Sequence, residues 1–411
     1  MAEIKPFKAI RPKSGLEEHI AALPYDVYNR EEAKREVERE PLSFLRVDRA
    51  ETQFGSEVDT YADCVYEKAH DLLWKMVEDG ELVEEEKDCY YVYELVMEGR
   101  SQIGIVACAS VDDYLSYKIK KHENTREDKE IDRIRHVDTC KAQTGPIFLA
   151  YRSHPVIREE IKRARESAPL YSFTAVDGIA HKAWKIEDEE AVGRIRGAFE
   201  DVESIYIADG HHRCASAVKV SLKRRAENPD YSGEEEFNYF LSVLFSDDQL
   251  MIMDYNRVVM DLNGLSAEEY LEKTGQYFHI EKRGEVPYKP EEKGTFGMYL
   301  EGVWYKLKAK EPYSGEDPVA ALDVTVIQNS LLCPVLGIGD AKTDKRIDFV
   351  GGIRGMEELE RRVYTDARVA FSMYPTSIGE LFAVSDAGML MPPKSTWFEP
   401  KLRSGLFIHK I

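Results

Sequence analysis

The segment YIADGHHRCASAV, residues 206–218, places an acid, a glycine, two histidines and an arginine in succession. The run SIYIA before and into it, residues 204–208, has the β-branched and aromatic character of a short buried strand. The alanine-rich run that starts at Cys214 shows helical spacing of its apolar residues. Asp209 to Arg213 are therefore expected to form a tight turn between a strand and a helix.

The residue types in this turn suit the binding of an anion. The first N–H groups of a helix have no partner within it, and the helix dipole adds positive charge there. Gly210 allows the turn, and Arg213 offers a planar fork for phosphate or carboxylate. His211 and His212 add donors that titrate near neutral pH. The turn therefore predicts a phosphate site.

Asp209 does not belong in a simple phosphate site, because its carboxylate repels phosphate. It is expected either to accept the proton of a hydroxyl group or to hold Mg²⁺. An alternative remains, since Asp, Gly and His are also common as plain capping and turn residues. A zinc site is disfavoured, because adjacent histidines point in different directions and no second ligand cluster has metal-site spacing.

Composition limits the class of protein. The chain has 411 residues, enough for two or three domains, and its net charge of −20 disfavours a general nucleic-acid or membrane-surface binder while allowing a local basic pocket. Its six cysteines are scattered without a CxxC pair, which is typical of reduced thiols. No apolar stretch resembles a leader or a membrane span, so a cytoplasmic location is expected.

The order of predicted elements favours an α+β fold, because strands and helices do not alternate regularly. We expect a core in residues 1–257, an α+β subdomain in residues 258–345, and a C-terminal segment, residues 346–411, that returns to the core pocket. Residues 42–49 are expected to form a strand. Residues 237–246 and 250–262 are expected to pair as a hairpin.

Two further segments combine unusual residue types. KHENTREDKEIDR, residues 121–133, resembles an exposed charged helix by its charge pattern, but its start also suits a loop that orients an amine or phosphate. MPPKSTWFEPKLRSGL, residues 391–406, is a stiff, cationic, aromatic loop that either covers a ligand or straps the domain. The candidate substrate- and phosphate-binding residues in these segments are His122, Thr125, Arg126, Lys394, Ser395, Thr396 and Lys401.

Four segments together resemble a largely uncharacterised bacterial family with ParB-like or SpoOJ-like names: PYDV at 24–27, KHENT at 121–125, ADGHHR at 208–213 and the segment at 391–406. The resemblance covers nearly the whole chain. The turn at 209–213 is also similar to the phosphate-binding turn of the ParB/sulfiredoxin fold. That fold includes nucleotide-dependent clamps, sulfiredoxin and kinases of free serine, so the resemblance implies a ParB/sulfiredoxin-like core.

The free-serine kinases set a similar turn against the phosphates and take their base from a carboxylate nearer the N-terminus. The resemblance therefore implies a phosphotransferase that acts on free L-serine or a similar hydroxylated amino acid, with Mg²⁺ and ATP, ADP or pyrophosphate as donor. Asp209 is then a base or metal ligand, and Asp26 loosely matches the N-terminal acid, although it could equally cap a helix. Glu123 is a third candidate acid.

Two other functions stay open at this point. The same turn could hold a nucleotide in a regulatory module without turnover, or the chain could be a ParB-like DNA-partition or nuclease-related protein. The net charge and the lack of a basic recognition helix disfavour the DNA role. The expected partner is a small-molecule substrate rather than a membrane or nucleic acid, with a homo-oligomer left open.

Overall fold

A computed structural model describes residues 2–311 and 315–411. The chain forms two compact units, Met1–Leu250 with Pro400–Ile411, and Met251–Glu399. These boundaries differ from the expected ones at 257/258 and 345/346. Residues 346–399 belong with the second unit because their strands pair with its sheet, and only the last twelve residues return to the first unit.

The strands of the first unit, up to its exit at Leu250, are β1 (Ile4–Lys5), β2 (Ala9–Pro12), β3 (Leu82–Glu84), β4 (Tyr90–Met97), β5 (Arg100–Ser110), β6 (Ile119–Lys120), β7 (Ala142–Gln143), β8 (Ile147–Tyr151), β9 (Tyr171–Thr174), β10 (Ala180–Ile186), β11 (Ile205–Asp209) and β12 (Tyr239–Ser246). Its helices are α1 (Glu17–Ile20), α2 (Arg30–Arg39), α3 (Leu45–Asp48), α4 (Asp63–Glu78), α5 (Val111–Leu115), α6 (Glu127–Cys140), α7 (Pro155–Ala164), α8 (Glu189–Glu200) and α9 (His211–Glu227).

The main sheet of this unit follows the order β6-β11-β8-β12-β5-β4-β10-β9, with β1 added beside β5. Within it, β6 pairs parallel with β11 and β8 pairs parallel with β12, while the other pairs are antiparallel. A buried apolar cluster packs the helices α8 and α9 against the sheet. It includes Leu149 and Leu244 of the sheet and Phe199 of α8. This packing fixes β11 and the start of α9, because both contribute buried side chains to it.

The second unit contains the strands β13 (Ile252–Met253), β14 (Tyr255–Val259), β15 (Phe278–Gly284), β16 (Thr295–Leu300), β17 (Val303–Ala309), β18 (Ile347–Gly351), β19 (Val369–Ser372) and β20 (Trp397–Phe398) and the helices α10 (Ala267–Tyr277), α11 (Asp323–Ile327), α12 (Gly355–Thr365) and α13 (Ile378–Asp386). A six-stranded antiparallel sheet, β15-β17-β16-β19-β14-β18, forms its centre, and β13 pairs with β20.

The chain re-enters the first unit at Pro400 and ends in β21 (Ile408–Lys410). This strand lies between β2 and β7 in a small sheet of order β3-β2-β21-β7. The C-terminal segment is thereby anchored by backbone hydrogen bonds to the first unit. Its position brings Lys401 to the end of β11.

The α+β class is confirmed at the level of mixed sheets and helices. Two local expectations are wrong. Residues 42–49 contain the one-turn helix α3 rather than a strand, because a short apolar run reads alike in a strand and in a buried helix. The expected hairpin does not form, since β12 pairs with β5 and β8 while β14 pairs with β18 and β19. Among the described helices, none is both long and apolar enough to span a membrane.

Candidate functional site

The turn between β11 and α9 is the local structure that the sequence predicted. Strand β11 ends at Asp209, and Gly210 has a φ of 90° before α9 begins at His211. A Cβ atom at Gly210 would lie 3.1 Å from the guanidinium nitrogens of Arg213. Glycine is therefore favoured at this position for two reasons, the left-handed backbone and the close approach of Arg213.

Asp209 is held by donors on both oxygens. Its Oδ1 accepts a hydrogen bond from the Gly210 N–H at 2.8 Å, and its Oδ2 accepts one from Lys401 Nζ at 3.1 Å. Burial by itself raises the pKa of Asp209, but the charges of Lys401 and Arg213 and the hydrogen bonds outweigh it and hold the pKa well below its usual range. The carboxylate is therefore ionised at neutral pH.

Arg213 is the third residue of α9, and a backbone carbonyl holds its guanidinium group. Its Nη1 donates to the Pro146 carbonyl oxygen at 2.5 Å, and no ion pair with a described acid reaches it. A Cβ atom at Gly145 would lie 3.6 Å from the same Nη1. The positive charge of Arg213 is thus placed by a backbone carbonyl, which leaves its charge only partly balanced by the more distant Asp209.

The first turn of α9 has the opposite charge from most helix starts. No side chain caps the helix, and the turn carries His211, His212 and Arg213 with no acidic residue. Acidic side chains are normally favoured at this end of a helix because of its partial positive charge. A helix start that lacks them and adds an arginine has the electrostatics of an anion site.

His122 and Glu123 come to the same turn because β6 pairs parallel with β11, with Lys120 opposite Tyr206. Residues that follow parallel strands emerge at one edge of the sheet. The rings of His122 and His211 meet edge to face with centroids 4.5 Å apart, and His211 Nδ1 lies 3.9 Å from Glu123 Oε2. These contacts define the histidine cluster, His122, Glu123 and His211.

Burial keeps both imidazoles of the histidine cluster neutral. It lowers the pKa of His122 to about 4, against the opposing effects of a hydrogen bond with the backbone of Ile207 and of the charge on Asp209. Burial and the neighbouring His122 place the pKa of His211 well below its ordinary value. Neither ring is expected to carry charge at neutral pH.

The remaining residues of the 121–133 segment are placed differently from one another. His212 Nε2 accepts a hydrogen bond from the Arg126 backbone N–H at 3.0 Å. The Arg126 side chain is exposed and bonds to Asp128 at 2.8 Å, so its guanidinium is occupied by a neighbour. Thr125 donates to Glu130 near the start of α6, which makes Thr125 part of the helix entry. The helix itself begins at Glu127, after this loop.

Asp26 lies in a short 3₁₀ turn, Tyr25–Val27, and lines a pocket of about 350 Å³. Arg133 is buried in the wall of this pocket, stacks on the Tyr25 ring at 4.0 Å and pairs with Asp132 at 2.9 Å. The capping alternative for Asp26 is wrong, because Asn29 caps α2 through a capping box. Asp26 is therefore left at a pocket wall rather than at a helix start.

The pocket of Asp26 adjoins a second, smaller one that Arg213 lines. The two share four lining residues, Tyr25, Asp48, Arg133 and His136. Gly145 and Ser404 also line the smaller pocket, and a Cβ atom at Gly145 would lie 3.0 Å from Ser404 Oγ. The two pockets thus share one lining surface in the first unit, and this surface includes both Arg213 and Asp26.

Several residues of this surface were not predicted as site residues. Asp48 accepts a hydrogen bond from Thr144 Oγ1 at 2.7 Å and lies 3.9 Å from His136 Nε2. A buried acid at the end of an apolar run was the available signal at Asp48. Gly145-Pro146 was a signal as well, since such a dipeptide marks a tight loop whose carbonyl can accept from an arginine.

Lys394, Ser395 and Thr396 belong to the second unit, unlike Lys401. The Lys394 carbonyl accepts from Arg257 Nη2 at 3.1 Å, and the Ser395 hydroxyl donates to the Pro392 carbonyl at 2.7 Å. Within that unit they shape the entry to β20. Their convergence on the turn of the first unit stays a prediction, while Lys401 is at the turn.

The fold and the turn define an α+β protein with an anion-type strand-to-helix turn and a buried histidine cluster beside it. In sequence, residues 4–325 match the family described as protein of unknown function (DUF1015), and the chain belongs to that family. The matched range includes the turn and the histidine cluster but not Lys401. None of the curated proteins matches the chain.

Several solved structures resemble the chain at low identity. A free serine kinase in complex with AMP is 13% identical, with 72% of this chain and 86% of that one covered and a TM-score of 0.35. A conserved hypothetical protein from Pyrococcus furiosus is 13% identical, with 73% and 93% covered and a TM-score of 0.35. SbnI with a C-terminal truncation, from Staphylococcus aureus, is 13% identical, with 72% and 82% covered and a TM-score of 0.36.

Proposed function

We propose that this protein is a small-molecule phosphotransferase that phosphorylates free L-serine or a similar hydroxylated amino acid, on a ParB/sulfiredoxin-like core. The observation that carries the proposal is the β11–α9 turn, where an uncapped helix start, Arg213 and Lys401 surround one ionised acid. Phosphoryl transfer depends mostly on positioning and on charge neutralisation, which this arrangement supplies. The motif resemblance in the sequence points to the same chemistry.

The donor phosphates are assigned to the start of α9. Gly210 exposes the backbone there, Arg213 offers the donors that Pro146 does not use, and His212 is held in place by the Arg126 backbone. Phosphate oxygens bind well to N–H groups at a helix start and to a guanidinium fork. ATP, ADP and pyrophosphate all present such oxygens, and the turn does not distinguish among them.

Asp209 is the proposed base. Its carboxylate would accept the proton of the acceptor hydroxyl as the new O–P bond forms and the bond to the donor's leaving oxygen breaks. The low pKa of Asp209 makes it a weak base, but a loose transition state needs little proton removal before the phosphoryl group moves. An ionised, well-oriented carboxylate is what this step requires.

Magnesium would accompany a nucleotide donor and neutralise charge on its phosphates. Asp209 fits the role of a magnesium ligand poorly in this arrangement, because the positive charges of Lys401 and Arg213 beside it would repel the ion. Lys401 would have to move away first. We therefore assign Asp209 to the hydroxyl and leave the donor's phosphates to Arg213 and the helix start.

Asp26 is the proposed partner of the acceptor. An amino acid carries an ammonium group, and Asp26 offers a carboxylate to it. The pocket of Asp26 has a volume of about 350 Å³, which is large enough for such a molecule. Arg133 in the same wall could face the acceptor's carboxylate, although Asp132 already shares its charge. The role of Asp26 is to orient the acceptor.

The experiment is to incubate the purified full chain with L-serine, Mg²⁺ and ATP, ADP or pyrophosphate in turn, and to follow the products by ³¹P NMR. Appearance of O-phosphoserine with at least one donor supports the proposal. The matched pair is Arg213→Ala and Arg126→Ala, because both remove an arginine near the turn and only the first has its guanidinium there. Donor binding without any phosphorylated product, across serine, threonine and homoserine, would instead favour a regulatory nucleotide-binding module.

A further inference from the structure

The histidine cluster gathers three metal-ligating side chains from two distant parts of the chain. One ligand atom from each of His122, Glu123 and His211 lies within 4.8 Å of the other two, among the described residues. The ligands of a tetrahedral zinc ion lie about 2.0–2.2 Å from the metal. Small side-chain rotations are therefore enough to bring the three atoms around one ion.

The environment of the cluster favours metal ligation over a salt bridge. His122 and His211 are 2% and 7% exposed, so their rings are shielded from water. His211 Nε2 is fully buried and has no hydrogen-bond partner among the described residues. A buried imidazole nitrogen without a partner costs free energy unless something binds it. Glu123 is 40% exposed on its side chain, which leaves an open route to the cluster.

We propose that His122, Glu123 and His211 form a binding site for a divalent transition metal ion, with Zn²⁺ as the best match. Two imidazoles and one carboxylate are a ligand set that zinc uses in sites with an open fourth position. His211 is the first residue of α9, so this open position lies next to the turn. The pairing of β6 with β11 supplies the second ligand segment, which the spacing of residues in the sequence does not reveal.

The fourth position would be filled by water or by an oxygen of a bound anion. Only this last point rests on the proposed function, since a phosphate held at the start of α9 is the nearest anion it could meet. Metal binding itself requires nothing beyond the three side chains. The site differs from the site of any Mg²⁺ that binds together with a nucleotide, because Mg²⁺ prefers oxygen ligands and octahedral geometry.

The test uses the full chain, stripped with a chelator and dialysed against Zn²⁺ or against Co²⁺ as a spectroscopic probe. Mass spectrometry of bound metal should give about one ion per chain, and Co²⁺ should produce the intense visible bands of a tetrahedral site. The first variant is Glu123→Gln, since Glu123 is partly exposed and the change keeps its size. We expect its Zn²⁺ affinity to fall at least tenfold, and His211→Ala to lose stoichiometric binding.

The control variant is His19→Gln. His19 is exposed, is distant from the histidine cluster in sequence and pairs with Glu40 at 2.8 Å. This variant should bind Zn²⁺ like the unmodified chain. Circular dichroism of the metal-free forms checks that each variant is folded. The site is refuted if the folded unmodified chain binds no stoichiometric Zn²⁺, or if Glu123→Gln and His19→Gln bind it equally well. Phosphoserine formation is scored separately, so either proposal can fail while the other stands.

Discussion

Two groups of side chains lie at the β11–α9 turn: one is charged, and the other consists of two buried imidazoles beside a partly exposed carboxylate. We call the first the charged side, which consists of Asp209, Lys401 and Arg213, and compare it with the histidine cluster. On the charged side, Lys401 and Arg213 drive the pKa of Asp209 down. In the histidine cluster, burial drives the pKa values of the rings down and keeps them neutral.

This contrast is consistent with the two kinds of ligand that we propose for the turn. Fixed charges with a net positive excess suit an anion, because they attract it and need little rearrangement when it binds. Neutral buried nitrogen atoms suit a metal ion, because the imidazoles need not first lose protons. Changes on the charged side should therefore affect turnover and donor affinity, whereas changes in the histidine cluster should affect metal content.

The largest effect is expected for Asp209→Asn, which keeps the shape of the side chain and removes its charge. If Asp209 accepts the hydroxyl proton, turnover at saturating substrates should fall by roughly 10²–10⁴-fold, the usual contribution of a general base. Asp128→Asn is the control, because Asp128 is an exposed acid that pairs only with Arg126 among the described contacts. Near-normal turnover in Asp209→Asn would remove the base assignment.

Arg213→Ala should mainly weaken donor binding. The loss of a charged hydrogen-bonding fork corresponds to about 1.5–3 kcal/mol, or roughly a 10- to 150-fold rise in the donor Kd. Isothermal titration calorimetry with each donor measures it directly. Arg126→Ala should leave the Kd within about twofold, since its guanidinium is exposed and bound to Asp128. Equal donor affinity in the two variants would show that Arg213 does not contact the phosphates.

Lys401→Met tests the electrostatics of the charged side through pH. Lys401 helps to hold the pKa of Asp209 low, so its removal should raise that pKa and move the acid limb of the pH–turnover profile to higher pH. Stability should change in the same region. A depressed carboxylate pKa stabilises the fold above the unfolded value of about 3.9, and that stabilisation is lost as pH falls through the folded pKa. The variant should therefore lose less stability on acidification than the unmodified chain.

The check is a pair of measurements, turnover against pH and urea unfolding between neutral pH and about pH 3. Lys410→Met serves as the control, because Lys410 is an exposed lysine of the same C-terminal segment that pairs with Glu84. An unchanged acid limb in Lys401→Met would mean that Asp209 is not the group that titrates in turnover.

The sequence predicted the turn well because the turn is local. Strand, glycine and helix start follow one another between Ile205 and Arg213, and each has its own signal in residue type. Residue types alone did not predict the histidine cluster, since His122 and His211 meet only through the pairing of β6 with β11, and only the family resemblance implied that residues 121–125 lie near the turn. The place of Asp48 in the pocket lining was not predicted either, because the apolar run before it was interpreted as a strand and forms the helix α3 instead.

Gly210→Ala is expected to have the smallest effect, and it tests the turn that joins the two sides. Alanine at φ 90° is strained, and its Cβ would lie 3.1 Å from the Arg213 guanidinium. Such a backbone costs on the order of 1–3 kcal/mol of stability for a residue other than glycine. The matched control is Gly193→Ala inside α8, where a Cβ atom meets nothing within 4 Å. There alanine should stabilise the fold by roughly 0.5–1 kcal/mol. Urea unfolding of both variants should thus give shifts of opposite sign, and a stabilising or absent shift in Gly210→Ala would mean that the turn tolerates a side chain.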